Sequence, residues 1–254
     1  MSRNAVLAFA LTAALGATAA FAAHAVPGYV AAALSDPGRT DDEKKSDAER
    51  KPADMIAFAA IKPGAKVMDL MPGGGYFTHI FAKVVGPKGY VYAYVPSEIN
   101  AAIQKRFPGS DPKKQFASYG NVTVLNDSID KIFAPEPLDV VWTSQNYHDF
   151  HNKFFGPADI AVMNKAIYDA LRPGGVYIVL DHSAAKGAGT TATDTLHRIE
   201  EASVKQEVEA AGFKFAGESN VLRNPSDPRD KAIFDPSIRH RTDQFILKFV
   251  KPRH

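Results

Sequence analysis

A regular alternation of short apolar runs with amphipathic segments extends from about residue 52 to residue 250 and constrains the fold more than any other feature. The short runs are AKVMDL (65–70), YVYAYV (90–95), NVTVLN (121–126), LDVVWTS (138–144) and VYIVLD (176–181). Runs of this length between turn residues are typical of buried parallel strands. Their alternation with helices predicts an α/β fold, a doubly wound and mostly parallel sheet with ligands at the carboxyl ends of its strands.

Helices are predicted where apolar residues recur at helical spacing. The predicted segments are 52–61, 77–85, 98–107, 160–171 after a Gly156-Pro157 start, and a single helix between Asp194 and Gly212. Residues 213–221 and 242–250 are interpreted as two final strands. The connection between them is longer than ordinary hairpins use, which favours a functional or mobile loop. Its interleaved Arg and Asp residues, like His197 and Arg198 before it, are predicted to be solvated.

The first predicted strand ends in a glycine-rich turn, VMDLMPGGGYFT at residues 67–78. The strand delivers Asp69 to three consecutive glycines, which lack a β-carbon and adopt positive φ easily. A helix that begins near Tyr76 would direct unpaired N–H groups and its positive dipole end at whatever the turn holds. The turn therefore indicates a cofactor site, although three glycines also suit a simple tight connection. Neither G-x-G-x-x-G spacing nor a G-K-[ST] phosphate loop is present.

Five motifs carry a resemblance to a known family. VMDLMPGGGYFT, VYAYVPSE, VTVLNDS, LDVVWTSQNYH and LRPGGVYIVLDH occur in the order found in class I S-adenosylmethionine-dependent methyltransferases. The chain is especially similar to a predicted exported subgroup with a PGGG-aromatic-aromatic-Thr turn. The resemblance covers about residues 50–250. It implies a Rossmann-like fold with a seven-stranded sheet, a final antiparallel strand pair, S-adenosylmethionine as cofactor and a small-molecule methyl acceptor.

The resemblance also implies positions for the cofactor. Residues at the end of the first strand and in the turn would hold its methionine part, those after the third strand would lie beside adenine, and Asn146 would face the methyl group. The predicted cofactor residues are Asp69, Met71, Gly73, Gly74, Gly75, Glu98, Asp127, Ser128 and Asn146. Met71 stands where the family has its first glycine. Val95 stands where the family has the acid that accepts the ribose hydroxyls, and Glu98 is the nearest substitute.

Histidines and aspartates follow the fourth and fifth predicted strands. They are His148, Asp149 and His151 in one group, and Asp181 and His182 in the other. The resemblance makes these two strands neighbours, so both groups are expected at one edge of the sheet. An imidazole oriented by a carboxylate can act as a general base, and the candidates are His148, Asp149 and His182.

Two alternatives remain for these side chains. His148, His151, Asp181 and His182 offer nitrogen and oxygen donors that suit a divalent metal. They are also explained as caps and hydrogen-bond partners of the backbone. At the level of the whole protein, the alternatives to methyl transfer are an exported fold that has lost the cofactor and binds a metabolite or metal, and metal-dependent chemistry at these residues.

The N-terminus resembles a secretory signal peptide. Arg3 precedes an alanine-rich apolar run, and small residues then alternate, so cleavage is predicted after Ala22 or Ala25. A retained membrane anchor is the alternative. The predicted organisation is a signal peptide at 1–22, a polar segment at 23–51 with at most a short surface helix, and a methyltransferase-like domain at 52–254. The product is expected in the periplasm or outside the cell, without stable membrane insertion after cleavage.

The composition excludes several kinds of site. The chain of 254 residues contains 30 Lys and Arg against 28 Asp and Glu, a balance that gives no indication of a nucleic-acid partner. It contains no cysteine, which excludes disulfides, thiolate metal sites and a cysteine nucleophile. The sequence leaves the methyl acceptor and the oligomeric state open.

Overall fold

A computed structural model describes residues 26–253 with gaps at 107, 110 and 154–157. The predicted signal peptide at 1–22, both cleavage positions, the helix end at Phe107 and the helix start at Gly156-Pro157 lie outside the described residues. None of the described helices combines the length and apolar character needed to cross a bilayer.

The described residues form a seven-stranded sheet with helices on both faces. Its strands are β1 Lys66–Leu70, β2 Tyr90–Tyr94, β3 Val122–Leu125, β4 Leu138–Ser144, β5 Leu171–His182, β6 Lys214–Ser219 and β7 Gln244–Val250. Their spatial order is β3-β2-β1-β4-β5-β7-β6. The first five strands run parallel, and β7 pairs antiparallel with both β5 and β6. The predicted doubly wound α/β fold with a final antiparallel pair is therefore confirmed.

The helices connect the strands in the expected alternation. The α-helices are α1 Gly28–Leu34, α2 Asp41–Arg50, α3 Pro52–Ala59, α4 Tyr76–Val85, α5 Ser97–Arg106, α6 Pro112–Gln115, α7 Ile160–Ala170, α8 Thr193–Leu196 and α9 Glu201–Ala210. Short 3-10 turns occur at Gly86–Lys88, Ile129–Lys131 and His148–His151.

Apolar side chains of the parallel strands alternate between two cores. In β1, Val67 packs with α1, α3 and α4 on one face, whereas Met68 and Leu70 pack with α7 and α9 on the other. Burial on both faces explains why these strands appear as continuous apolar runs. Because every second side chain faces each core, the sheet is held in one register and its strand ends are fixed in space.

The polar segment before residue 52 is more ordered than predicted. Two helices replace the single short surface helix, and Val30 of α1 is buried against α4. Every residue of α2 is at least partly exposed, and the N-terminus of the helix is closed by a capping box in which Thr40 and Glu43 exchange hydrogen bonds. Polar contacts hold α2 on the domain. Because α2 has no apolar stripe, its sequence does not show that it packs there.

The segment after β5 also departs from the prediction. The single helix expected between Asp194 and Gly212 is interrupted at His197, whose backbone is left-handed with φ 53°. The next residue, Arg198, is fully buried rather than solvated, and its guanidinium donates to both carboxylate oxygens of Asp227 at 2.8 and 3.1 Å. A buried pair joins the helical region to the long β6–β7 connection, so the prediction of solvated side chains is wrong for Arg198 and Asp227, whereas Arg239 and Arg241 of the connection are exposed.

Candidate functional site

The glycine turn after β1 has the backbone that its sequence requires. Gly73 and Gly75 have φ of 55° and 81°. A Cβ on Gly75 would come within 2.7 Å of the side chains of Gln115 and Phe116, so this position accepts only glycine. Among the described residues, a Cβ on Gly73 or Gly74 would meet no atom within 4 Å. These two glycines face open space, where a ligand can approach the backbone closely.

Asp69 is buried beneath this turn. Only 3 % of its surface is exposed, and its Oδ2 accepts a hydrogen bond of 2.6 Å from Thr78 Oγ1 at the start of α4. Burial raises the pKa of Asp69 to about 6, although the Thr78 hydrogen bond and the positive charge of Arg50 act in the opposite direction. Asp69 is thus close to its titration point at neutral pH and responds to any charge placed beside it.

Arg50, at the end of α2, is a site residue that the sequence analysis missed. Its guanidinium lies 4.4 Å from the ring centre of Tyr76, and its Nη2 donates to Gln145 Oε1 at 3.3 Å. Burial lowers the pKa of Arg50. It lines a cavity of about 380 Å³ together with Met71, Gly73, Gly74, Tyr76 and Asn146. Arg50 therefore places a positive charge opposite the glycine turn, in a cavity that Asp42 and Glu43 also line.

Helix α2 forms a roof over this cavity. Glu43 Oε1 lies 2.6 Å from His79 Nδ1, and Asp47 Oδ1 accepts a 2.7 Å hydrogen bond from the hydroxyl of Tyr76. Both partners belong to α4, directly after the glycine turn. Asp47 also pairs with Arg39, which is 3 % exposed. These contacts place α2 and Arg50 over the turn without an apolar interface.

The predicted adenine residues lie together at the ends of β2 and β3. The carboxylate of Glu98 accepts a 3.3 Å hydrogen bond from the backbone N–H of Ile129, beside Ser128. The carbonyl of Asp127 accepts from the N–H of Ser97, at 2.9 Å. Burial alone raises the pKa of Glu98, but hydrogen bonds from Ser128 and neighbouring backbone groups outweigh it and lower the pKa. Glu98 is thus held ionised at this edge, and its role as ribose acceptor stays a prediction.

His148 and Asp181 form a buried pair at the ends of β4 and β5. His148 Nδ1 donates to Asp181 Oδ1 at 2.8 Å, and the backbone N–H of His148 donates to Oδ2, also at 2.8 Å. Burial by itself lowers the pKa of His148, but the negative charges of Asp181 and Asp149 outweigh it and raise the pKa. The pair fixes the imidazole so that its other nitrogen, Nε2, points away from Asp181.

His148 Nε2 meets two further side chains. His197 Nδ1 lies 3.3 Å away and Asp149 Oδ1 lies 3.4 Å away, while these two atoms are 3.7 Å from each other. The three residues line a cavity of about 730 Å³ with His182 and Phe234. His148 is 1 % exposed, whereas the side chain of His197 is 29 % exposed. His197 is therefore the histidine of this cluster most open to the cavity.

The other histidines point elsewhere. His151 Nε2 lies 3.2 Å from Glu207, and His182 Nδ1 shares a 2.8 Å hydrogen bond with Thr242. Burial lowers the pKa of His182 to about 4, so this ring is neutral at pH 7. Among the described residues, the side chains positioned to share a cation are His148, Asp149 and His197. His151, Asp181 and His182, also predicted as candidate ligands, are not part of this group, and their role as ligands stays a prediction.

The long β6–β7 connection forms part of the wall of the site. It contributes Ile233 and Phe234 to the His148 cavity, and the ring of Phe234 contacts His197 at 4.9 Å between ring centres. Part of the same connection lines a third cavity of about 310 Å³ with Phe77 and His182. Gln145 lines all three cavities. The glycine turn and the histidine cluster are thus parts of one cleft across the carboxyl ends of β1, β4 and β5.

No protein-family model matches the chain. Among curated proteins it is similar to the "Ubiquinone/menaquinone biosynthesis C-methyltransferase UbiE" of Methylococcus capsulatus, with 25 % identity over 204 residues, which cover 76 % of this chain and 74 % of that protein. The protein of the same name from Pseudomonas paraeruginosa is 30 % identical over 131 residues, 50 % of this chain and 46 % of that protein. The chain thus spans about half the length of several curated relatives.

Solved structures share the fold. A "SAM dependent methyltransferase from Aquifex aeolicus" superposes with a TM-score of 0.54 at 19 % identity, covering 84 % of this chain and 100 % of that one. The "[4+2]-Cyclase SpnF" superposes with a TM-score of 0.58 at 16 % identity, covering 87 % of this chain and 86 % of that one. A cyclase and a methyltransferase share this architecture, so the reaction has to be argued from the site.

Proposed function

We propose that this chain, which its relatives and structural neighbours indicate to be a class I S-adenosylmethionine-dependent methyltransferase, transfers a methyl group to an oxygen or nitrogen of a small molecule. The observation that carries the proposal is the left-handed glycine turn over buried Asp69, open to a cavity that continues to the histidine cluster. Cofactor and acceptor sites in one cleft are what a direct transfer between two bound molecules requires.

The chain's residues fit the cofactor at both of its ends. S-adenosylmethionine, when bound, supplies a methyl group activated by a sulfonium. Its amino acid part would lie beside the backbone of Gly73 and Gly74. Asp69 would face its ammonium group and Arg50 its carboxylate, since each carries the opposite charge. Asn146, which donates to Met71 O at 2.9 Å, would lie beside the sulfonium. Glu98, Asp127 and Ser128 would hold the nucleoside.

The acceptor would occupy the cavity between His148, His182 and Phe234. On transfer, the acceptor oxygen or nitrogen would bond to the methyl carbon, and the cofactor would leave as a neutral thioether that keeps the electron pair of the broken bond. The acceptor would also lose a proton, and we assign its removal to His148. Asp181 orients the His148 ring, and Asp149 adds negative charge beside it. His182, neutral at pH 7, would contribute a hydrogen-bonding wall.

Calorimetric titration of S-adenosylmethionine and S-adenosylhomocysteine into protein lacking residues 1–22 tests the proposal. We expect micromolar binding to the parent chain and a large loss for Asp69→Asn. Asp169→Asn is the matched control, because Asp169 is exposed on α7 away from the cleft. The absence of binding at millimolar ligand would overturn the assignment of the cofactor.

Export of the protein is part of the proposal. The charged start, alanine-rich run and small-residue positions before Ala22 and Ala25 support a signal peptide and membership of the exported subgroup. Fractionation of cells that express the whole chain, followed by N-terminal sequencing of the recovered protein, tests this point. Recovery in the periplasm with a new N-terminus at residue 23 or 26 is expected. An intact N-terminus in the cytoplasm would contradict it.

A further inference from the structure

We propose that His148, Asp149 and His197 form a binding site for a divalent cation of the Zn²⁺ type on the wall of the acceptor cavity. The site is defined by three donor atoms, His148 Nε2, Asp149 Oδ1 and His197 Nδ1. The existence of the site rests only on this cluster. Its part in methyl transfer rests on the proposed function.

The spacing of the donor atoms matches tetrahedral coordination. Nitrogen and oxygen ligands about 2.0–2.2 Å from a tetrahedral zinc ion are roughly 3.3–3.6 Å apart. The three observed separations are 3.3, 3.4 and 3.7 Å. An octahedral ion with ligands at about 2.1 Å would bring neighbouring donors to roughly 3.0 Å, which is shorter than any of the three. The spacing is compatible with a tetrahedral ion, and the presence of two imidazoles favours zinc over magnesium.

The surroundings of His148 support the same conclusion. Metal-binding histidines usually donate their second ring N–H to a carboxylate or carbonyl, which fixes the tautomer and the ring orientation. Asp181 accepts the Nδ1 proton of His148 at 2.8 Å and is itself completely buried. The lone pair of Nε2 is thereby directed at Asp149 and His197. Asp181, predicted as a ligand, is thus assigned to orient one.

The backbone conformation at His197 positions its ring within the cluster. A left-handed conformation in a residue other than glycine costs about 1–3 kcal/mol and persists where the surrounding structure imposes it. His197 has φ 53° between α8 and α9, and the residue that follows it, Arg198, is fully buried. This arrangement turns the His197 ring towards His148. With three protein ligands, the fourth position faces the cavity and is available to water or acceptor.

With a cation bound, His148 would act as a ligand and not as the base. A cation at Nε2 would withdraw this nitrogen from use as a free base, and an acceptor hydroxyl bound to the cation would lose its proton to water in the cavity. Divalent ions lower the pKa of coordinated water or hydroxyl groups strongly enough for this purpose. A small-molecule acceptor with a hydroxyl group fits such a position better than a tertiary amine, which has no proton to lose.

The test measures zinc binding to residues 23–254 by calorimetry after treatment with a chelator, without cofactor or acceptor. We expect one zinc ion per chain, and an affinity at least 10-fold lower for His197→Asn. His240→Asn is the matched control, because His240 has the same left-handed backbone, φ 64°, and a largely exposed side chain outside the cluster. Asparagine tolerates this conformation, so both substitutions preserve the backbone.

Asp149→Asn provides a second variant if His197→Asn fails to fold, as judged by circular dichroism. Tetrahedral coordination is checked in the visible spectrum of the Co²⁺ form. Absence of zinc binding, or equal binding by the parent chain, the His197 variant and the Asp149 variant, would overturn the site. Because the readout uses no S-adenosylmethionine, its failure is distinguishable from failure of the proposed function, which the separate cofactor titration tests.

Discussion

Met71 and Gln145 follow two neighbouring parallel strands, and both have a left-handed backbone, with φ of 60° and 62°. Met71 comes directly after β1 and Gln145 directly after β4. Such conformations cost about 1–3 kcal/mol for residues other than glycine and are concentrated at functional sites. The adjacent side chain of Asn146 donates to Met71 O, which ties the two turns together. The strained positions mark the edge of the sheet where the cavities meet.

By the resemblance to class I methyltransferases, Met71 stands where those proteins carry their first glycine, and its left-handed backbone gives a physical reason for a glycine there. Met71→Gly is expected to be more stable than Met71→Ala by about 1 kcal/mol, since only the glycine adopts positive φ without strain. Comparing these two variants removes the contribution of the methionine side chain. Urea unfolding measures the difference.

The same pair of substitutions at Lys165 serves as the control for Met71. Lys165 is exposed within α7, where alanine is the better residue by about 1 kcal/mol. The order of stabilities should therefore reverse between the two positions. If the alanine variant were the more stable one at both positions, Met71 would not carry backbone strain.

The raised pKa of Asp69 predicts that the free energy of unfolding falls as the pH rises. Its pKa is about 6 in the folded protein and about 3.9 in an unfolded chain, so the folded state holds the extra proton between these values. The free energy of unfolding should decrease by about 2 kcal/mol from pH 4 to pH 6, and by about 3 kcal/mol over the whole titration, owing to this group alone. Urea unfolding of the parent and of Asp69→Asn between pH 4 and pH 7 measures the difference. A constant difference across this range would contradict the prediction, and Asp169→Asn controls for surface effects.

The sequence predicts the sheet well because its strands are buried on both faces. Runs such as KVMDL in β1 need no tertiary information to be recognised, and the glycine turn after them follows from three residues. Arg50 was missed because α2 is polar on all sides and is held by Glu43 and Asp47, whose partners belong to another helix. His197 was missed because helical spacing continues through it.

The break at His197 has its cause far along the chain. Arg198 pairs with Asp227, 29 residues later, and its Nη1 also donates to Ser183 O at 2.9 Å. No local pattern contains this information, so a charge in an apparently amphipathic helix was interpreted as solvated. The predicted metal ligand set omitted His197 for the same reason, since grouping the donors depends on which histidines the chain turns towards each other.

Arg50 is expected to bind the carboxylate of the cofactor. Arg50→Met should weaken binding of S-adenosylhomocysteine about 10- to 100-fold, because a charged hydrogen bond contributes about 1.5–3 kcal/mol. Binding of 5′-methylthioadenosine, which lacks the amino acid part, should be unchanged. Both affinities are measured by calorimetry. Lys45→Met, which removes a positive charge from the exposed side of the same helix, is the control. Equal losses for the two ligands would place Arg50 outside the carboxylate site.

The pair of Arg198 and Asp227 should be essential for stability. Both side chains are completely buried, so Arg198→Met leaves an unpaired carboxylate inside the protein and is expected to cost about 3–5 kcal/mol. Arg198→Met with Asp227→Leu removes both charges and should recover much of this loss. Lys165→Met disrupts an exposed pair with Asp169 and should change stability by less than about 1 kcal/mol.

The same pair should connect stability to the site. Arg198 follows His197 directly, and its guanidinium also donates to Lys231 O at 2.9 Å, close to Phe234 in the chain. Arg198→Met should therefore loosen the connection that covers the cavity and lower zinc affinity along with stability, whereas the double variant should recover stability more fully than zinc affinity. Unfolding in urea and zinc titration of the same samples measure both effects. Full recovery of zinc affinity in the double variant would show that apolar packing alone positions His197 and that the charge of Arg198 is not needed.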